Sequence, residues 1–384
     1  MILKTNNRPE KQLKEFDRAL IVATYFGFLP VSAPKITRQD FELTQGYNEH
    51  PHYDAIEKVA LIRTYLEENL ASLPHPLALI YKKPISRKKF GTHGLHFIGS
   101  VSGIAEAALI RTTLSILSEE GYKNLRVDIN CIGDKESINT YEHELTNFVR
   151  RSGIDLSDES KLSIKENIFN LFKMEGPETL QLRETAPSSI TFLSASSRLY
   201  FKEVLEYIEA LGIEFRLAPE LVGERNHTSH TIFAIKNVLE EKGETLAVGY
   251  RYSRLARLLG LRKEIPMAGV TIFSTSAKEA HSRVYKELPR PKFYLVQLGQ
   301  EAKIKTLSLI ELLRSHRIPV HHFIGKDKLA SQLSNAENLR VSHLIIIGQK
   351  EALDNTATVR NMSTRAQDTI SMLDLPRYLK HISL

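Results

Sequence analysis

The sequence predicts a mixed α/β protein, of the α+β type, with more than one domain. A chain of 384 residues and 43.6 kDa is longer than one compact core usually supports. Its 42% apolar and 25% charged residues are typical of ordinary globular domains. Helix and strand patterns alternate along it, and two prolines, Pro289 and Pro291, separate a last segment from the rest.

The first 150 residues carry alternating helix and strand patterns. Apolar spacing predicts helices over residues 12–25, 56–70, 104–120 and 136–151. Shorter apolar runs predict strands over residues 27–31, 77–81 and 125–132. Residues 155–198 are polar and helical in pattern, which predicts an inserted helical subdomain. Strand patterns return at residues 214–217, 231–235, 246–250 and 268–273.

The segment beyond residue 287 predicts a small three-layer α/β domain with a mixed sheet. Its strands are expected at residues 293–298, 319–323, 342–347 and 356–362, and its helices at 304–315, 328–338 and 375–381. We therefore divide the chain into two parts of one body, residues 1–153 and 208–286, an insertion, 154–207, and a last domain, 287–384.

Charge is concentrated in this last domain. Residues 289–384 hold 14 Lys/Arg and 8 Asp/Glu, a net charge of +6 out of +7 for the whole chain. A basic unit on a neutral body is typical of a module that contacts a polyanion, with nucleic acid as the first candidate. A modest lysine excess on a domain that binds nothing is the alternative.

Several classes of site and location are not expected. The single cysteine, Cys131, excludes an internal disulfide and cysteine-rich zinc or iron–sulfur sites. His227 and His230 lie near Glu224, but residues three apart on a strand face opposite sides, so we expect no metal site. No apolar run approaches the ~20 residues of a membrane span, and the polar N-terminal segment lacks a secretory signal. The cytoplasm is the expected compartment.

Five stretches occur in the order seen in one known family. They are Asn130–Ser137 (N-C-I-G-D-K-E-S), Phe293–Val296, the turn at Gly325, Leu329–Ala336 and Leu344–Gly348. Together they resemble histidyl-tRNA synthetase, a class II aminoacyl-tRNA synthetase, over nearly the whole chain. The resemblance implies a class II antiparallel sheet with helices, a helical insertion, a C-terminal α/β anticodon-binding-type domain, and a homodimer.

The stretch that resembles motif 2 of this family is a basic segment, residues 82–89. Arg87 falls on the position of the α-phosphate arginine, but Lys89 stands where the family has a glutamate. Five positive charges and no acid predict a phosphate-contacting hairpin that includes Lys82, Lys83 and Lys88. A solvated basic turn has the same composition.

The histidine-specific motifs are only partly present. In Leu221–Thr228, Gly223 replaces the arginine that acts on the α-phosphate, and His227 and Thr228 replace the tyrosines of the amino-acid pocket. Arg225 lies two positions on, which on a strand is the same face. Gly249–Ser253 keeps half of the companion motif, so the resemblance implies ATP-site roles for Arg251 and Tyr252 beside Arg87 and Arg225.

Two further family motifs are altered. Ser276 occupies the position of the motif 3 arginine that contacts the γ-phosphate, and the R-P-E-G-T loop is absent near Asp54–Ala60. Losing one such arginine typically lowers the rate ~10²–10³-fold. The combined losses predict almost no activation of an amino acid by ATP.

The leading hypothesis is a histidyl-tRNA synthetase-like protein that binds tRNA or structured RNA in a regulatory or accessory role without charging it. Its RNA contacts would be Lys82, Lys83, Lys88 and Lys89 in the hairpin and Lys326, Lys328 and Gln332 in the last domain. A divergent but active histidine–tRNA ligase using ATP and Mg²⁺ is the first alternative. A regulatory subunit of histidine biosynthesis ranks last, because that relative lacks the anticodon-type domain. A protein partner is a further alternative.

Overall fold

The structure is a computed structural model that describes residues 13, 15–45, 55–73, 75–84, 91–238, 243–273, 284–323 and 328–382. The body contains an eight-stranded sheet in the order β1-β2-β3-β8-β7-β6-β4-β5. Neighbouring strands from β2 to β4 are antiparallel, and the short edge strands β1 and β5 are parallel to β2 and β4. The predicted α+β fold with a class II-like sheet is confirmed.

The elements of the body have the following bounds. Its strands are Leu29–Pro30 (β1), Leu77–Pro84 (β2), Gly91–Ile98 (β3), Leu125–Gly133 (β4), Phe215–Leu217 (β5), Ser229–Asn237 (β6), Glu244–Arg251 (β7) and Met267–Phe273 (β8). Its helices are Arg18–Tyr25 (α1), Arg38–Leu43 (α2), Ala55–Glu67 (α3), Ile104–Glu119 (α4), Lys135–Arg151 (α5), Asp158–Glu166 (α6), Pro177–Thr185 (α7) and Ala195–Ala210 (α8). Short 3₁₀ turns cover Leu70–Ser72, Ile168–Lys173, Ser189–Phe192 and Ser253–Leu259.

Both faces of the body sheet are buried, and alternation along each strand decides which residues lie on which face. On β6, Phe233 and Ile235 pack into a core shared with α1, α4 and α8. Ile232 and Ala234 pack into a second core shared with α3 and α5. We call these the α4 face and the α3 face. The candidate site lies on the α3 face.

The turn from β4 into α5 explains the first stretch of the family resemblance. Gly133 has a φ of +75°, and a Cβ there would lie 2.5 Å from the Ser137 side chain. Asp134 caps α5 by accepting a hydrogen bond from the Ser137 backbone N–H at 3.0 Å. Asn130 donates from its side-chain amide to the Leu221 carbonyl at 3.0 Å. Each of these residue types is therefore required by local geometry.

The last domain has a five-stranded mixed sheet in the order β10-β9-β11-β12-β13. Its strands are Phe293–Gln297 (β9), Val320–His321 (β10), His343–Ile347 (β11), Thr356–Asn361 (β12) and Gln367–Ser371 (β13). Its helices are Gln300–Ser315 (α9), Leu329–Asn338 (α10), Gln349–Asp354 (α11) and Leu375–Ile382 (α12). The α9 helix contacts the body, where Arg314 bonds Glu119 at 2.8 Å. The division into 1–153, 154–207, 208–286 and 287–384 stays a prediction.

Several elements differ from the sequence-based expectations. The helix expected from residue 12 begins at Arg18, because Asp17 caps it and Phe16 forms a bridge with Tyr285 instead. The helices α2 and α11 and the strands β3 and β13 were not predicted. The strand β3 pairs with β2 and β8 in the middle of the body sheet. Among the described residues, no helix has the length and apolar character needed to cross a bilayer.

Candidate functional site

A chain of hydrogen bonds lies buried on the α3 face of the body sheet. The Tyr81 hydroxyl on β2 donates to Glu57 Oε1 on α3 at 2.6 Å. His96 Nε2 on β3 lies 2.9 Å from that hydroxyl, and His96 Nδ1 lies 2.8 Å from the hydroxyl of Tyr252. Lys83 donates to the other oxygen of Glu57 at 3.0 Å. We call Glu57, Tyr81, His96 and Tyr252 the buried network.

The protonation states of the buried network follow from its geometry. Burial, together with the charge of Lys58, holds the pKa of His96 well below its ordinary value, so the ring is neutral at pH 7. Because the Tyr81 proton goes to Glu57, His96 donates from Nε2 to the Tyr81 oxygen and accepts at Nδ1 from Tyr252. Burial also raises the pKa of Tyr252. All four residues therefore have defined hydrogen-bonding roles.

Lys58 lies directly beside this network and is itself buried. Its side chain projects from α3 with only 1% of the residue exposed. Its ammonium donates to the Thr271 hydroxyl at 3.0 Å and lies 5.9 Å and 6.0 Å from the ring centroids of Tyr250 and Tyr252. A cation within about 6 Å of an aromatic face is attracted by the ring. The protein thus fills this part of the α3 face with its own cation.

Arg251 lies on the opposite face of the sheet from the buried network. Alternation along β7 places Tyr250 on the α3 face and Arg251 on the α4 face. Its guanidinium donates to both oxygens of Glu106, at 2.8 and 3.0 Å, and to the Ser100 carbonyl at 2.7 Å. Arg251 is 4% exposed. The structure thus places it in an internal ion pair, separated from Tyr252, although the resemblance implies ATP-site roles for both.

The prediction that Arg225 and Gly223 share one face of a strand is wrong. Gly223 has a φ of +67°, and β6 begins only at Ser229. Arg225 lies in the turn between them, is half-exposed, and forms a bidentate ion pair with Glu142 on α5. The two positions therefore do not share a strand face.

The basic hairpin is described only at its base. Lys82 bonds Asp17 at 3.0 Å, and Lys83 bonds Glu57 at the same distance. Each keeps about a third of its side chain exposed. Arg87, Lys88 and Lys89 lie outside the described residues. Both described lysines are thus tied to carboxylates of the body.

The predicted RNA contacts of the last domain fall in different environments. Lys328 is exposed immediately before α10, whereas Lys326 lies outside the described residues. Gln332 is fully buried: its amide donates to the Gln297 carbonyl at 2.8 Å and accepts from the Gln297 N–H at 3.1 Å. Gln332 therefore joins α10 to β9, and this conformation offers no surface at which RNA could contact it.

The described histidines and arginines of the altered motifs are engaged in contacts within the chain. Within the described ranges, no three His, Cys, Asp or Glu side chains are grouped to hold a cation. His227 is buried against Tyr250, with ring centroids 5.7 Å apart, and His230 has a φ of +51° at the start of β6. The described arginines assigned to ATP are held by Glu142 and Glu106. Ser276 lies outside the described residues.

Sequence reasoning missed most of the buried network. Glu57, Lys58, Tyr81 and His96 were not singled out, nor was Glu106. The available signal was a charged residue in an otherwise apolar helix, as in A-I-E-K-V-A and I-A-E-A-A-L. Buried acids and bases are rare unless they are paired, so such interruptions point to internal partners.

Comparisons with known proteins agree with this architecture. A model of the HGTP_anticodon family, described as an anticodon binding domain, matches residues 292–382. The Anoxybacillus flavithermus histidine–tRNA ligase is 27% identical over 338 residues, covering 84% of this chain and 80% of that protein. The Bacillus velezensis enzyme is 29% identical over 337 residues, covering 84% and 79%. The crystal structure of apo S. aureus histidyl-tRNA synthetase matches with a TM-score of 0.50 at 23% identity, covering 94% and 93%, which shows the fold.

Proposed function

We propose that this chain, a member of the histidyl-tRNA synthetase family, binds tRNA or a structured RNA without attaching an amino acid to it. Its role would be regulatory or accessory, in the cytoplasm. The observation that carries this proposal is the filled α3 face of the body sheet. There the chain's own Lys58 ammonium lies against Tyr250, Tyr252 and Thr271.

The filled face opposes catalysis for a geometric reason. A ligase must bring an amino acid and ATP together in an open, largely preformed pocket and place positive charge on the reacting phosphate. Here Arg225 and Arg251, which the resemblance assigns to ATP, are bound to carboxylates, and the space beside Tyr252 is occupied by the buried side chain of Lys58. A nucleotide bound on the α3 face would have to displace the Lys58 ammonium from Tyr250, Tyr252 and Thr271.

RNA binding is supported by the last domain. It matches the anticodon-binding family over residues 292–382 and carries most of the net positive charge of the chain. Lys328 is exposed there. Phosphate contacts from such side chains dominate affinity for nucleic acids and make it depend on salt. We also propose a homodimer, as the family implies, which the mass from light scattering would test.

The decisive experiment combines histidine-dependent ATP–pyrophosphate exchange with tRNA binding on the same sample. We expect no exchange above background and retention of tRNA at moderate salt. Exchange with ATP and Mg²⁺ that is abolished in Arg87→Ala would instead establish a divergent ligase. If the protein neither exchanges nor binds tRNA, the proposal is wrong, and a protein or small-molecule partner becomes the subject.

Charge reversal tests where the RNA lies. A quadruple variant should bind tRNA more weakly, and its log K should depend less steeply on log salt, with the magnitude of the slope smaller by about 3. The variant combines Lys88→Glu, Lys89→Glu, Lys326→Glu and Lys328→Glu. Lys328→Glu alone should lower that magnitude by about 1. The matched control is Lys202→Glu, which changes the same charge on exposed α8 of the body. An unchanged slope in the quadruple variant would show that RNA binds elsewhere.

A further inference from the structure

The environment of Lys58 has the composition of a binding site for a cation. A fully buried ammonium is unfavourable unless its surroundings replace the water it loses. Among the described residues, the surroundings of Lys58 include the Thr271 hydroxyl at 3.0 Å and the rings of Tyr250 and Tyr252 at about 6 Å. All three residues are buried. We call Tyr250, Tyr252 and Thr271 the Lys58 enclosure.

We propose that the Lys58 enclosure is a binding site for a primary alkylammonium group, and that Lys58 occupies it as an internal ligand. Aromatic faces that are shielded from water attract ammonium groups most strongly, and a hydroxyl oxygen supplies a hydrogen-bond acceptor for one N–H. The carboxylate of Glu57, on the adjacent residue of α3, adds negative charge to the same region. Nothing in this chemistry requires the ammonium to be tethered to the chain.

The tether defines the ligand that would replace it. The lysine side chain is a butylammonium group, so Lys58→Ala removes three methylenes and the ammonium, which together correspond to n-propylammonium. The residues around the resulting space stay close-packed, and interiors of this kind relax only partly around a deleted side chain. The truncated protein should therefore hold a cavity with the size and polarity of the missing fragment.

The test is the thermal unfolding of Lys58→Ala with n-propylammonium chloride. At ten times its Kd the amine shifts the folding equilibrium about 11-fold, so we expect the Tm to rise by a few degrees as the concentration increases. Equal concentrations of n-propanol and of sodium chloride control for the alkyl chain and for salt. The wild type and Lys58→Met, in which a neutral side chain of similar length fills the space, should not respond.

Three results would overturn the inference. They are no response of Lys58→Ala, an equal response to n-propanol, and an equal response of Lys58→Met or of the wild type. If Lys58→Ala does not fold alone, its refolding yield with n-propylammonium against n-propanol replaces the melting curve, and equal yields refute the site. None of these residues belongs to the basic hairpin or the last domain, so the outcome is independent of whether the wild type binds RNA.

Discussion

Replacing Arg251 by methionine should destabilise the body of the protein and leave any nucleotide affinity unchanged. Methionine retains most of the unbranched stem of arginine and removes the charge. The substitution therefore deletes the two bonds to Glu106 and the bond to the Ser100 carbonyl. The fully buried Glu106 carboxylate keeps the hydroxyl of Tyr200, which donates to it at 2.6 Å.

The expected loss of stability follows from the buried Glu106 charge that Arg251→Met leaves without its partner. Removing one partner of a buried ion pair typically lowers the free energy of unfolding by ~3–5 kcal/mol, because the other charge stays desolvated. Both partners here are at most 4% exposed, so the full range applies. With an m-value of about 3 kcal/mol per M in urea, the midpoint should fall by about 1–1.7 M.

A double-mutant cycle separates the ion pair from other effects of the substitution. Arg251→Met, Glu106→Gln and the double variant should be unfolded in urea and followed by circular dichroism. We expect the double variant to be no less stable than either single variant, because neither charge is then left unpaired. An unchanged urea midpoint in Arg251→Met, together with lost ATP binding, would refute the structural role. It would instead indicate that Arg251 contacts a phosphate of the nucleotide.

Three further predictions concern other contacts. Burial lowers the pKa of His322, which bonds the last carbonyl of α1, to about 4; since the unfolded ring titrates near 6.5, wild-type stability should fall between pH 6.5 and 4. The urea midpoints at pH 7 and pH 4.5 should therefore differ less in His322→Gln than in the wild type. Although burial opposes it, hydrogen bonds from Arg216 and Arg126 lower the pKa of the Asp128 carboxyl to about 2. In acid unfolding, the wild type should therefore be more stable than Asp128→Asn by its full margin above pH 4, and this margin should vanish towards pH 2. Gly249→Ala puts a Cβ 2.1 Å from the Phe233 ring and should cost ~1–3 kcal/mol in thermal unfolding.

The sequence predicted most elements of the fold because their apolar periodicities are clear. It failed where a residue's role is set by distant neighbours. The strand β3 contains Gly91 and Gly94, and glycine is a poor strand former, yet β3 lies in the middle of the sheet. Gly94 is needed there because a Cβ would lie 2.8 Å from the Tyr81 hydroxyl. That requirement cannot be seen until β2 and β3 are paired.

The candidate site was less predictable because a motif states which residue is present but not where it points. Arg251 and Tyr252 are adjacent in the sequence and belong to the same resemblance. In the structure Arg251 faces α4, and Tyr252 joins the network on the α3 face. Gln332 has the composition of a surface contact, yet it links a helix to a strand. Pairing partners many residues away decide each of these orientations.

At Gly223, the difference from the family motif involves the packing of neighbouring residues as well as the missing arginine side chain. A positive φ of 67° strains any side chain but glycine's, and a Cβ at this point would lie 2.8 Å from Thr228 Oγ1 and 2.9 Å from Ile232 Cδ1. The same Thr228 hydroxyl accepts a hydrogen bond from the backbone N–H of Glu224 at 3.0 Å, which holds the turn closed. Arginine could return here only if the turn opened and Thr228 moved. The surrounding residues are thus packed around a glycine, and a side chain at position 223 would require them to rearrange.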